Sequence, residues 1–245
     1  MVTLLRLGRQ QATTRRLFCF PYAGGGVSVY SQWWRTLPAD IEVLGVQLPG
    51  RESRMAEPPL TSIAGMVAAA LPVITGKTDQ PYAFFGHSMG GLLAFEITSA
   101  MQRLGGVRTP EATFISARRA PEVREPSPPL HRLPDDGLIA AVSARYGGMS
   151  DDVLREPELM ALLLPTLRAD VQAVETYEPS ASAPLQSALH VFGGTRDRHP
   201  EPDELHGWQR WVSAPLHIEM FEGDHFYIGA QHQAVTETIA RLWPA

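Results

Sequence analysis

The sequence predicts an α/β fold: a mostly parallel central sheet flanked by helices and interrupted once by a helical insertion. Three observations lead there. Short apolar runs alternate with helical stretches in the first half of the chain, the alternation lapses between residues 121 and 184, and strand character returns afterwards. A chain of 245 residues with 44% hydrophobic content suffices for one domain with a full core.

Taken in order, residues 1–39 hold no Asp or Glu but do hold Arg6, Arg9, Arg15 and Arg16, a composition that superficially suits a transit peptide. A frayed N-terminus leading into a first strand is the preferred expectation. Residues 17–20 and 41–48 read as buried strands, with a helix expected at 29–37 between them. A helix follows at 62–74, a strand at 82–85, a helix at 92–101 and a strand at 113–117. The insertion begins with the proline-rich "APEVREPSPPLHRLP" and continues with helical segments at 138–146, 157–164 and 166–177. Strands are expected again at 188–192 and 216–221, and a closing helix at 234–243. The expected organisation is a core of residues 1–120 and 185–245, with 121–184 as a helical lid.

Composition excludes several functions. A formal net charge of −5 argues against nucleic acid as a partner. No stretch approaches the ~20 apolar residues that cross a bilayer, so no membrane partner is expected. The one cysteine, Cys19 in "LFCF", cannot form an internal disulfide; this fits a reducing, cytoplasmic compartment, and its apolar neighbours mark it as a core residue rather than a nucleophile. Trp33 and Trp34 read as packing residues.

The chemistry starts at "PYAFFGHSMGG", residues 81–91. A G-x-S-x-G pentapeptide between a strand and a helix places Ser88 on a strained turn that lifts its side chain clear of the sheet, the nucleophile elbow of the α/β-hydrolase fold. A capping serine in a glycine-rich turn is the bland alternative. A serine hydroxyl needs a base, and the base needs an acid to hold its tautomer. In this fold they follow in the order serine, acid, histidine, each after a later strand. His225 in "FEGDHFY" lies just past the strand ending near Phe221, and Asp197 in "HVFGGTRDRHP" follows the preceding strand through a glycine turn. Asp224 is the rival acid because it adjoins His225; Asp203 and Asp170 are weaker. Among the other histidines, His87 reads as packing, His190 and His217 as structural strand residues, and His131, His199, His206 and His232 as loop or surface residues. Two backbone N–H donors are needed for the oxygen of a tetrahedral intermediate: one from Met89, the residue after the nucleophile, and one from the loop "FPYAGGG".

The motifs "FPYAGG", "VQLPGRE", "FFGHSMGG", "LPTLRADVQAVETY", "FGGTRD" and "GDHFY" resemble, in order and separation, those of the type II (external) thioesterases that accompany polyketide and nonribosomal peptide synthases. The resemblance runs over nearly the whole chain. It implies a triad of Ser88, Asp197 and His225, oxyanion donors at Ala23 and Met89, and no metal or bound organic cofactor. It further implies hydrolysis of acyl thioesters on the phosphopantetheine arm of an acyl or peptidyl carrier protein, acting in trans to clear stalled or aberrant acyl units. Fatty-acid chain-terminating thioesterases share most of these motifs, and a carboxylesterase or lipase on free esters would use the same triad. Arg118, Arg119 and Arg124 could face a carrier or its arm, or be solvated or internally paired; Arg51 and Glu52 are expected to fix a loop near the site.

Overall fold

The structure is a computed structural model, described here for residues 2–8, 12–124, 128–147, 156–180 and 183–244. Arg9 and parts of the expected insertion (125–127, 148–155 and 181–182) lie outside the described residues. Seven strands form one sheet: β1 (Thr3–Leu7), β2 (Arg15–Phe20), β3 (Ile41–Gln47), β4 (Tyr82–His87), β5 (Ala112–Ser116), β6 (Ala188–Gly194) and β7 (His217–Phe221). Their order is β1-β3-β2-β4-β5-β6-β7. Only β1 runs antiparallel, with Thr3 opposite Gln47; every other pairing is parallel.

The parallel strands read as unbroken apolar runs because both faces are covered. Successive side chains alternate between the faces. Phe18, Phe20, Tyr82 and Phe84 point to the side covered by α1 (Ile63–Thr75) and α2 (Met89–Leu104). Leu17, Cys19, Ala83 and Phe85 point to the other, where Tyr30, Trp33, Val235 and Ile239 pack. Phe18 meets Phe84 edge to face at 5.6 Å, and burying each such ring contributes about 1.5–3 kcal/mol. α1 starts where the sequence puts a cap: Ser62 Oγ accepts the Gly65 N–H at 3.1 Å.

The insertion supplies α3 (Asp135–Tyr146) and α4 (Pro157–Glu175) between β5 and β6. Leu130, Leu138, Val142, Leu164, Leu167 and Val171 make a small cluster of their own. Near the C-terminus, α5 (Tyr227–Ala230) leads into α6 (His232–Leu242).

Four local expectations are corrected. The N-terminus is not frayed over Thr3–Leu7, because those residues gain a full antiparallel ladder on β3. The helix expected at 29–37 is two short 3₁₀ turns, Val27–Tyr30 and Trp33–Arg35, with Trp33 and Tyr30 plugged into the core. The two helices expected on either side of Pro165 are one: the ring costs a single i→i−4 bond, and packing from Leu164, Leu167 and Val171 carries the helix past it. A ten-residue 3₁₀ helix, Pro202–Trp211, appears where no element was expected. It buries Trp208, whose indole N–H donates to the Arg118 carbonyl at 2.7 Å.

Candidate active site

Ser88 sits in the turn from β4 into α2 with φ 53° and ψ −114°, and its side chain does not cap the helix. The capping alternative therefore fails. The turn is that tight because glycines flank it: a Cβ on Gly86 would lie 2.0 Å from the Gly90 carbonyl oxygen, and one on Gly90 2.1 Å from that of Phe20. No side chain larger than hydrogen fits either position. Ser88 N–H is tied across to the Ser116 carbonyl at 2.8 Å.

Asp197 and His225 arrive from the carboxyl ends of β6 and β7. Thr195 N–H bonds the Phe221 carbonyl at 2.9 Å and Arg196 N–H that of Gly223 at 2.8 Å, which stitches the two loops together. Gly194 permits it, since a Cβ there would lie 2.5 Å from the Asp224 carbonyl oxygen. Asp197 Oδ2 then lies 2.9 Å from His225 Nδ1, both side chains being almost fully buried. Asp197 Oδ1 accepts the His199 N–H at 2.8 Å, so both of its oxygens are engaged. The rival Asp224 is turned away: its Oδ1 accepts the Phe226 N–H at 2.9 Å at the start of the following helix. Asp203 lies in the 3₁₀ helix after β6, and Asp170 is buried on α4.

Ser88 and His225 face one cavity with Tyr22, Ala23 and Phe226. Met89 opens α2, so its N–H has no acceptor within the helix. In the loop after β2, Gly25 N–H bonds the Tyr22 carbonyl at 2.9 Å and Gly24 N–H is held by a side chain. Among the described residues the Ala23 N–H, like those of Tyr22 and Gly26 in the same loop, has no protein acceptor, and Ala23 lines the cavity with Ser88. Arg51 and Glu52 do fix this loop. Arg51 Nη1 donates to the Gly25 carbonyl at 3.0 Å, and the Glu52 carboxylate accepts Val27 N–H at 3.2 Å and Ser28 N–H at 3.0 Å.

Residues 15–242 match the Thioesterase domain family. The chain belongs to that family. The gramicidin S biosynthesis protein GrsT of Aneurinibacillus migulanus is 36% identical over 89% of this chain and 84% of its own length. Thioesterase PikA5 of Streptomyces venezuelae is 36% identical over 92% of this chain and 79% of its own. Among solved structures, the type II thioesterase BorB from the borrelidin biosynthetic cluster superposes with a TM-score of 0.87 at 33% identity, covering 97% of this chain and 96% of that one. The seven-stranded, mostly parallel sheet is the α/β-hydrolase fold expected of a thioesterase.

The insertion of this thioesterase walls the cavity with Leu130, Val142, Tyr146, Leu167, Val171 and Val174. Leu167, Val171 and Val174 fall within the motif "LPTLRADVQAVETY", whereas Leu130, Val142 and Tyr146 carry no motif; which of them line a cavity depends on which face meets the core. Tyr146 lies 4.8 Å from the His225 ring, centroid to centroid. Glu175 also lines the cavity, held by His131, whose Nδ1 is 2.6 Å from its Oε2. His131 thus has a partner that no local pattern announced. The three arginines after β5 do not form one patch: Arg118 is buried and faces the cavity, Arg119 is buried beside Glu204 at 3.5 Å, and Arg124 pairs on the surface with Glu178 at 3.3 Å.

His87 lies beneath His225, ring centroids 5.3 Å apart. Its Nδ1 is 2.8 Å from Ser116 Oγ, which in turn is 2.5 Å from the Tyr227 hydroxyl. Burial first, and the neighbouring His225 second, hold the His87 pKa well below the ordinary histidine value. His190, stacked on Phe114 at 5.0 Å, is brought to about 4 by burial, with smaller contributions from His217 and Arg241. Both take up a proton in the unfolded chain before they do so in the folded one, so stability is complete above about pH 6.5 and falls as pH drops below it. Each contributes at most about 1.4 kcal/mol per pH unit, less for the partly exposed His190. The urea midpoint of this thioesterase is expected to fall steadily between pH 7 and pH 5, and His190→Asn to flatten part of that slope. A midpoint unchanged over the range would contradict both assignments.

Proposed function

We propose that this thioesterase hydrolyses acyl thioesters carried on the phosphopantetheine arm of a separate acyl or peptidyl carrier protein, in the cytoplasm, clearing stalled or wrongly loaded units. The observation that carries the mechanism is the 2.9 Å contact between Asp197 Oδ2 and His225 Nδ1 on the wall of the cavity that Ser88 faces. His225 Nε2 takes the Ser88 hydroxyl proton as Oγ attacks the thioester carbonyl. The N–H groups of Ala23 and Met89 stabilise the oxyanion, each such donor being worth about 3 kcal/mol. The tetrahedral intermediate collapses, the C–S bond breaks, and the imidazolium returns its proton to the departing thiolate. Water, deprotonated by the same imidazole, then attacks the acyl-enzyme and releases the acid with Ser88 restored. Asp197 remains a carboxylate throughout and stabilises the imidazolium. The apolar wall from α3 and α4 receives the acyl chain, and the segment 121–184 acts as a lid over it.

Support for a biosynthetic carrier comes from relatives named for gramicidin S biosynthesis and for the borrelidin cluster. Because the triad does not distinguish oxygen from sulfur leaving groups, the decisive comparison is kcat/KM on an acyl-carrier thioester against the matched free ester. A preference of at least about 10-fold for the carrier thioester, close to 1.4 kcal/mol, is expected. Preference for the free ester would make the protein a general carboxylesterase instead.

A further inference from the structure

One buried ion pair joins the insertion to the loop that holds Ala23. Asp170 on α4 is fully buried. Its carboxylate receives both terminal nitrogens of Arg51, Nη1 on Oδ2 and Nη2 on Oδ1, each at 2.9 Å. Oδ2 also accepts the Gly24 N–H at 2.8 Å. One turn earlier on the same helix face, the Thr166 hydroxyl donates to the Gly50 carbonyl. A single carboxylate therefore gathers the loop after β2, the loop after β3 and the insertion helix.

Desolvating both charges is strongly unfavourable, and burial raises the Asp170 pKa despite Arg51. An apolar pair of similar volume would commonly be as stable or more so, so stability alone is a weak reason for the arrangement. Geometry supplies a stronger one. Tyr22 to Gly25 is a four-residue turn closed by Gly25 N–H on the Tyr22 carbonyl, with the positive φ of 75° at Gly24 that a type II turn requires. The Tyr22 carbonyl and the Ala23 N–H share one rigid peptide plane. Asp170 holds the amide at Gly24, Arg51 holds the carbonyl at Gly25, and the turn bond then fixes the plane that aims the Ala23 N–H.

We propose that Asp170 is a positioning residue for the oxyanion donor at Ala23, acting directly on Gly24 and through Arg51 on Gly25. The proposal rests on Ala23 serving as that donor. It also couples two functions, because Leu167, Val171 and Val174 on the same helix line the acyl cavity. A group that shifts α4 shifts the donor.

The test uses the full chain and a small acyl thioester of N-acetylcysteamine, so that carrier docking plays no part. Asp170→Asn is expected to lower kcat about 100-fold, the effect of misplacing a donor by about 1 Å, with KM within about twofold of wild type. The affinity for an alkyl trifluoromethyl ketone, whose adduct with Ser88 places an alkoxide in the oxyanion position, is expected to fall by a similar factor. Asp170→Asn combined with Arg51→Gln removes both buried charges; it is expected to regain melting temperature relative to the single variant while kcat stays low. This double variant gives the answer if the single one does not fold. Wild-type kcat and inhibitor affinity in folded Asp170→Asn would overturn the proposal. So would recovery of kcat together with melting temperature in the double variant. A wild-type protein without thioester hydrolysis would overturn the assigned function as well, which separates the two failures.

Discussion

Ser88→Ala is expected to abolish turnover, lowering kcat by roughly 10⁶, while leaving a folded protein. The hydroxyl oxygen is the only heavy atom lost, and Ser88 Oγ does not cap α2, so the helix does not depend on it. The backbone at this position, φ 53° and ψ −114°, is costly for any side chain. Alanine keeps that strain, of order 1–3 kcal/mol, whereas Ser88→Gly releases it. Both variants are expected to be inactive, but the glycine variant should melt at the higher temperature. Activity retained in Ser88→Ala would remove the nucleophile assignment, and equal melting temperatures would show that the elbow stores no strain.

Asp197→Asn is expected to lower kcat by about 10⁴ with little change in KM. The carboxylate accepts from His225 Nδ1 on one oxygen and from the His199 N–H on the other. An asparagine of the same shape would keep the backbone contact through its oxygen and turn its NH₂ toward the ring. That arrangement favours the tautomer with the proton on Nε2, which cannot accept one from Ser88. Asp224→Asn serves as the matched control: its carboxylate bonds the Phe226 N–H, so kcat is expected within about threefold of wild type. Steady-state rates for the two variants decide between the carboxylates, and a larger loss in Asp224→Asn would reverse the choice.

The elements that form this candidate site were legible where chemistry is announced next to the end of a strand. Ser88, Asp197 and His225 each follow an apolar run, and the glycines around them make the required turns recognisable without coordinates. The fold was legible for the same reason, since buried parallel strands are continuous apolar runs. What escaped depends on partners distant in sequence. Asp170 is 119 positions from the Arg51 it binds, so a helix surface carboxylate and an ion-paired core residue look alike in the sequence. The pairing of Thr3–Leu7 with β3 was hidden because half-exposed edge residues carry weak periodicity. Pro165 suggested a break that packing on the insertion's apolar cluster overrides. Tyr146 lacked any signal, being one aromatic at a helix end that only the tertiary arrangement brings to His225.

The helix Pro157–Glu175 presents Thr166 and Asp170 to the loops of the sheet, and Leu167, Val171 and Val174 to the cavity. One side is thereby bolted to the loops around the cavity, while the other supplies apolar volume, with Glu175 at its end the one carboxylate among the helix's described cavity-lining residues. Exchanging residues on the second side is expected to alter which acyl shapes fit, and to leave the oxyanion donor undisturbed only where the helix itself does not move. Only exchanges that leave this rod in place can accordingly let substrate range drift away from chemical competence over evolutionary time.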